Sequence, residues 1–297
     1  MRKRAVLLPI VLLLLLTSCV TKMPYGDRQY FQAMGLDGEF VITVNAALFD
    51  TSKYIDPDDK AASFINDHMD RLSIALYDSR GASGPVVTDF SEFDYYGAIE
   101  GSFSKSLVNS ALSLSGLFAK QKDKDTGLKF FRDEQSGLEA AIPVNGIILF
   151  SSGDVTENHE RTFTKSRENL ISDEDAQRLA SSQIGIYVAN PRTMIDLGFE
   201  ISETALSNIS TILMVMDEEK ISVEFRLKSE DLAESFAVII KAAYVGNLRR
   251  EGAKLNIPEL RAMFTQELDK VNVNGMPLSK EQKDSVNEVI SSLLGMF

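Results

Sequence analysis

Residues 211–227 read TILMVMDEEKISVEFRL. In the second half of this stretch Ile221, Val223, Phe225 and Leu227 alternate with Ser222, Glu224 and Arg226. A period of two residues belongs to a β-strand with one apolar face. Thr211 to Met216 precede it across Asp217-Glu218-Glu219-Lys220, which predicts an antiparallel hairpin. From Ser229 to Leu248 the period changes. Leu232, Phe236, Ile239, Ile240, Ala243 and Leu248 recur at helical spacing, and Val238 and Tyr244 widen the apolar sector. Antiparallel hairpins with interspersed helices define the expected class, α+β.

Working outward, Ile184–Asn190 reads as a strand. Pro191–Leu197 opens a helix, with proline at a position where its missing N–H costs little. Upstream, Gly38–Ala46, Leu72–Asp78 and Tyr95–Phe103 read as strands, and Ala61–Arg71 and Ser104–Lys120 as helices. Leu128–Asp133 and Leu138–Val144 form a hairpin around Gln135-Ser136-Gly137. The expectation is two halves, 37–155 and 179–297, each holding a strand–helix–hairpin unit alike in element order and not in residues. The stretch at 156–178, strongly polar with few apolar anchors, is the expected linker. The order strand (95–103), helix (104–120), hairpin (128–144) is matched with strand (184–190), helix (191–197), hairpin (211–227).

Composition narrows the function classes. The 297 residues carry 31 basic and 43 acidic groups, a net of −12, against the basic stripe that a nucleic-acid partner needs. Hydrophobic residues at 44% and charged residues at 25% exclude wholesale disorder. A single cysteine excludes an intrachain disulfide, and two histidines leave little for metal or acid–base chemistry.

That cysteine closes the N-terminal segment. Arg2, Lys3 and Arg4 precede an apolar run from Ala5 to Leu16, interrupted by Pro9. The run suits a signal-peptide core and is too short for a spanning helix, which needs roughly 20 apolar residues. Leu16-Thr17-Ser18-Cys19 resembles the bacterial lipobox. The resemblance implies cleavage after residue 18, a covalent lipid of palmitate type on Cys19 and a tether over 19–36. The bland alternative is a secretory signal with an incidental cysteine. Loss of the leader leaves 28 basic against 43 acidic groups, a net of −15. Such a charge repels anionic head groups, so acyl chains and apolar contact must supply membrane affinity. Val20 after the cysteine does not signal inner-membrane retention.

Two helices carry the first candidate contacts. At the C-terminus Ser279 and Gln282 fit a capping box. Val286, Val289, Ile290, Leu293, Leu294 and Phe297 then share one apolar stripe. In 104–120, Leu107, Val108, Leu112 and Phe118 share another, which Leu114 and Leu117 widen among serines. Leu260, Met263, Phe264 and Leu268 make a further stripe. Each is explained by packing on a core. Beside a lipid anchor, each can instead be an interfacial helix or the wall of an acyl-chain cavity.

The lipobox, the strand YYGAIEGSF leading into a serine-rich amphipathic helix, and the C-terminal VNGMPLSKEQKDSVNEVISSLLGMF resemble treponemal outer-membrane lipoproteins of the concealed, amphipathic-helix type. The resemblance implies an α+β protein at the periplasmic face of the outer membrane. It also implies helices that insert in the bilayer and a cavity open to lipid. It carries no ligand residues.

Catalytic patterns are fragmentary. Ser102-Phe103-Ser104-Lys105 matches S-x-x-K without K-T-G or S-D-N partners. His159-Glu160 begins H-E-x-x-H, but position 163 is Phe; Asp123, Asp125 and Gly127 miss calcium-loop spacing and lack the closing Glu. His68 stands alone on its helix. The expectation is a non-enzymatic envelope protein with no metal and no cofactor beyond the lipid on Cys19. Its expected partners are membrane lipid and an acyl-chain ligand, with no nucleic acid. The alternative is a periplasmic interaction or structural lipoprotein whose helices face its core or a protein partner.

Overall fold

The structure, a computed structural model, describes residues 30–34, 40–54, 60–77, 94–163, 171–189, 191, 203–217, 219–250, 252, 254 and 256–294. The lipobox with Cys19, residues 192–197 and Phe297 lie outside them, as do the side chains of Val289, Leu293 and Leu294. The first half runs α1 (Phe31–Met34), β1 (Phe40–Asn45), α2 (Lys60–His68), β2 (Met69–Tyr77), β3 (Asp94–Gly101), α3 (Lys105–Ser115), β4 (Phe118–Lys122), β5 (Lys129–Asp133), β6 (Glu139–Ala141) and β7 (Ile147–Ser151). It continues through α4 (Val155–Phe163), α5 (Asp173–Ser181), β8 (Ile184–Ala189), α6 (Glu203–Leu206), β9 (Ile209–Asp217) and β10 (Lys220–Leu227). α7 (Glu230–Arg250), α8 (Ile257–Met263), β11 (Phe264–Glu267), β12 (Lys270–Pro277) and α9 (Lys280–Leu294) complete it.

The described strands make one 12-stranded sheet in the order β11-β12-β10-β9-β8-β1-β2-β3-β7-β6-β5-β4, with each neighbouring pair antiparallel. A single row of partners crosses it. From the centre, Ile42 sits opposite Ile74 and Ile186; Ile186 faces Met214, Met214 faces Val223, and Val223 faces Val273. On the other side Ile74 faces Gly97, which faces Phe150. A Cβ built on Gly97 would lie 1.9 Å from the Phe150 ring, so the ring occupies the space that any other residue would need. The hairpin read from 211–227 sits in this row, and its strand pairing extends to Asp217 opposite Lys220.

Each face of the sheet is half of a core. On one, Ile42, Leu72, Ile74, Ile186, Met214 and Phe225 pack with Val108 of α3, Phe236 and Ile240 of α7, Met263 of α8 and Ile290 of α9. On the other, Val41, Ala75, Leu149 and Leu213 pack with Phe31 of α1, Val155 of α4 and Leu179 of α5. Burial of this apolar surface is the main term holding the layers together. The outward residues of β10 are not simply solvated. Glu224 is buried and accepts from Arg178 (2.6 Å) and Arg226 (2.7 Å), while Arg226 also reaches Asp175 on α5 (2.5 Å). Burial pushes the Glu224 carboxyl up, and the two arginines more than reverse that and hold it below its usual range.

Several expectations are corrected. The helix expected over 61–71 stops at His68, because Met69 already pairs with Gly101. The helix expected over 104–120 stops at Ser115, where Gly116 takes φ 71°, so Phe118 lies on a strand. Phe264 and Leu268 likewise leave the helical stripe, since α8 ends at Met263 and Phe264 pairs with Val273. The stretch 156–178 carries most of α4 and the start of α5, and both place residues in the core. Tyr30, Phe31 and Gln32, at the end of the expected tether, are buried under the sheet. Among the described elements, one recurring order differs from the expected match. Strand, helix and hairpin recur as β1-α2-β2-β3 and β8-α6-β9-β10, arranged outward from the central β1–β8 pair.

Candidate functional site

Helix α3 begins where β3 runs out. Ser102 N–H donates to the His68 carbonyl (2.8 Å), Gly146 N–H to the Phe103 carbonyl (2.8 Å), and buried Phe103 pins the chain. Ser104 is the N-cap in extended geometry, but its hydroxyl bonds to Ser106 Oγ (3.0 Å) and not to the helix backbone. Asn145 Oδ1, from the loop before β7, accepts the Lys105 N–H instead (2.9 Å). Lys105 is the one charged residue between 104 and 117.

The apolar sector of this helix is wider than the core can cover. Val108 is closed into the core at 9% exposure, and Leu112 and Phe118 pack half-buried against it. Leu107 is 48% exposed, Leu114 85% and Leu117 69%. Leu107 and Leu114 stand about two turns apart and so fall on one side. Two serines of this helix bond to its own backbone. Ser113 Oγ donates to the Asn109 carbonyl (2.8 Å) and Ser115 Oγ to the Leu112 carbonyl (2.9 Å). Hydroxyls bonded to their own helix demand less from water and tolerate an apolar surrounding better.

The other helices divide differently. On α7, Val238 and Ile239 are exposed between an acidic first turn (Glu230, Asp231) and a basic last turn (Arg249, Arg250), charges that suit the helix dipole. On α9 the expected capping box is formed. Gln282 N–H donates to Ser279 Oγ (3.2 Å), and Ser279 N–H to Gln282 Oε1 (2.8 Å). Its stripe faces protein where it is described: Ile290 is 1% exposed, and Val286 packs on the same core. Tyr54 Oη also donates to Asn287 Oδ1 (2.5 Å), tying this helix to the turn after β1.

The fragmentary catalytic patterns find ordinary settings. Lys105 Nζ donates to the Pro143 carbonyl (2.5 Å), and among the described residues no hydrogen bond joins it to Ser102. Asp123 Oδ1 accepts from the N–H groups of Asp125 (3.1 Å) and Thr126 (2.7 Å), closing a turn. His159 stacks on Phe163 (5.0 Å between ring centroids), and burial holds its imidazole below the usual range. Among the described residues, no helix is long and apolar enough to cross a membrane.

The chain is thus an α+β protein built on one wide antiparallel sheet, with an apolar helix side left uncovered. That fold is shared with TP0453, a Treponema pallidum protein. Crystal form I aligns with a TM-score of 0.55 at 14% identity, covering 91% of this chain and 99% of that one. Crystal form III aligns at 0.54 and 15%, covering 89% and 98%, and crystal form IV at 0.53 and 12%, covering 88% and 96%. No protein-family model matches the chain, and no curated protein sequence does.

Proposed function

We propose that this chain is a lipid-anchored, non-enzymatic protein of the bacterial envelope that engages bilayer lipid through the uncovered apolar side of α3. The observation that carries the reading is the exposure of Leu107, Leu114 and Leu117 on a segment with one charge and self-bonded serines. Left in water, such a surface loses roughly 25 cal/mol for each Å² that hydrocarbon could cover. The fold shared with TP0453, a treponemal envelope protein, supports the setting. The lipobox at Leu16–Cys19 supports attachment, with Cys19 as the lipidated residue and the outer membrane's periplasmic face as the location. Val238 and Ile239 of α7 offer a second contact.

The stripe of α9 favours the other reading at its own position, because Ile290 and Val286 are spent on the core. There, the helix serves as structure.

The chain has no tryptophan, so Leu114→Trp makes a single reporter. Its emission shifts to the blue when protein with Cys19→Ser, which removes the lipid attachment point, meets neutral phosphatidylcholine vesicles. Unchanged emission in both Leu114→Trp and Leu117→Trp would reject the contact.

A further inference from the structure

On the face of the sheet that α3 covers, Lys105 of α3, Lys120 of β4 and Lys129 of β5 line one groove. Its volume is about 320 Å³. Leu128 and buried Ile142 form its apolar lining, and Asn109, one turn after Lys105, adds an amide. Gly127, at φ 72° in the β4–β5 turn, keeps that wall low.

The lysines are held together against their own repulsion. Lys122 stands directly opposite Lys129 in the β4–β5 ladder, and Lys120 shares its side of the strand. Like charges directly opposed across strands are destabilising. Among the described residues, none of these four lysines enters an ion pair. Several cations elsewhere are paired: Arg71 with Glu100, Arg161 with Glu157, Arg178 and Arg226 with Glu224, and Lys283 with Glu219. Two acids of this region are taken up by turns. Asp123 closes its turn onto Thr126 and Asp125, and Asp133 closes the next onto Gln135 and Ser136. A chain of net charge −12 has carboxylates to spare, and among the described residues none lines this groove.

We propose that this groove binds a phosphate group. The three ammonium groups supply charge and donors, Asn109 supplies a further donor, and the Leu128–Ile142 lining receives the carbon part to which the phosphate is attached. The phosphate belongs either to a soluble ester or to the head group of an anionic lipid. Only the second source rests on the membrane reading above.

The test uses the full chain carrying Cys19→Ser, with and without Lys120→Gln plus Lys129→Gln. Calorimetric titration with glycerol 3-phosphate at fixed ionic strength reads the soluble source. Binding to phosphatidylglycerol-containing vesicles, relative to pure phosphatidylcholine, reads the lipid source. Saturable binding in either arm that the double substitution weakens about tenfold or more supports the proposal and names the source. Absence of binding in both arms, or binding that the double substitution leaves unchanged, overturns it. Relief of lysine repulsion leaves the unliganded variant at least as heat-stable as the parent, and a marked loss of stability would show that the lysines serve the fold instead. Binding to pure phosphatidylcholine stays the same in the variant, so failure here is distinct from failure of the α3 contact.

Discussion

Leu107 and Val108 are consecutive residues of α3 that meet opposite surroundings: Val108 is closed against the sheet, and Leu107 is half open to the outside. The boundary of the core therefore runs through the apolar sector of the helix and not along its edge. Val108→Ala removes buried carbon and costs about 2 kcal/mol in urea unfolding. Leu107→Ser and Leu114→Ser change stability by no more than about 0.5 kcal/mol. Equal losses at the three positions would mean that the whole sector is core.

Gly97 and Phe150 share one space. Gly97→Ala forces the ring aside and destabilises by about 1–3 kcal/mol. Adding Phe150→Leu recovers part of that loss, because the two sites are in direct contact. A double-mutant cycle with no coupling would contradict the packing.

Arg226 bridges Asp175 and Glu224, both buried. Arg226→Met leaves two carboxylates short of a partner and costs about 3–5 kcal/mol by thermal or urea unfolding. Adding Glu224→Gln returns part of it. If the single substitution is neutral, the network carries no stability.

Glu100 is buried on β3, with Arg71 of β2 at 3.5 Å and Oε1 lacking a hydrogen-bond partner. Burial raises its carboxyl from 4.5 to about 7, against the pull of Arg71 and helped by Asp70. Between these two pH values the folded chain binds a proton that the unfolded chain has lost. Stability from this group is thus full below pH 4.5 and is lost as pH rises through about 7, by an amount on the order of 3 kcal/mol. Glu100→Gln flattens that slope. Urea midpoints at pH 5 and pH 8 that change equally in parent and variant would contradict it. Glu224, held low, acts with the opposite sign and only below pH 4.5.

Strand β10 is legible in the sequence because Ile221, Val223, Phe225 and Leu227 present one uninterrupted apolar face to a single core. Strand β7 is not. Ile147 and Leu149 serve one core and Ile148 and Phe150 the other, so IILF shows no alternation. Periodicity gives directions around a helix relative to one another, not the side on which the sheet lies. Hence Val108 and Leu107 read alike, and Leu114, the most exposed of the group, reads only as a residue that widens the stripe. The buried fate of Ile290 has the same cause. The lysine groove has no local signal, since Lys105, Lys120 and Lys129 meet only after the β4–β5 hairpin folds against α3.

The central claim is that the uncovered leucines of α3, together with Leu117 just beyond its Gly116 cap, seek hydrocarbon. Flotation with neutral phosphatidylcholine vesicles, using protein with Cys19→Ser, measures this without the anchor. The account predicts that the parent rises with the vesicles and that Leu107→Ser, Leu114→Ser and Leu117→Ser together leave a still-folded protein at the bottom of the gradient. A parent that stays at the bottom, or a triple variant that floats as well as the parent, would contradict it.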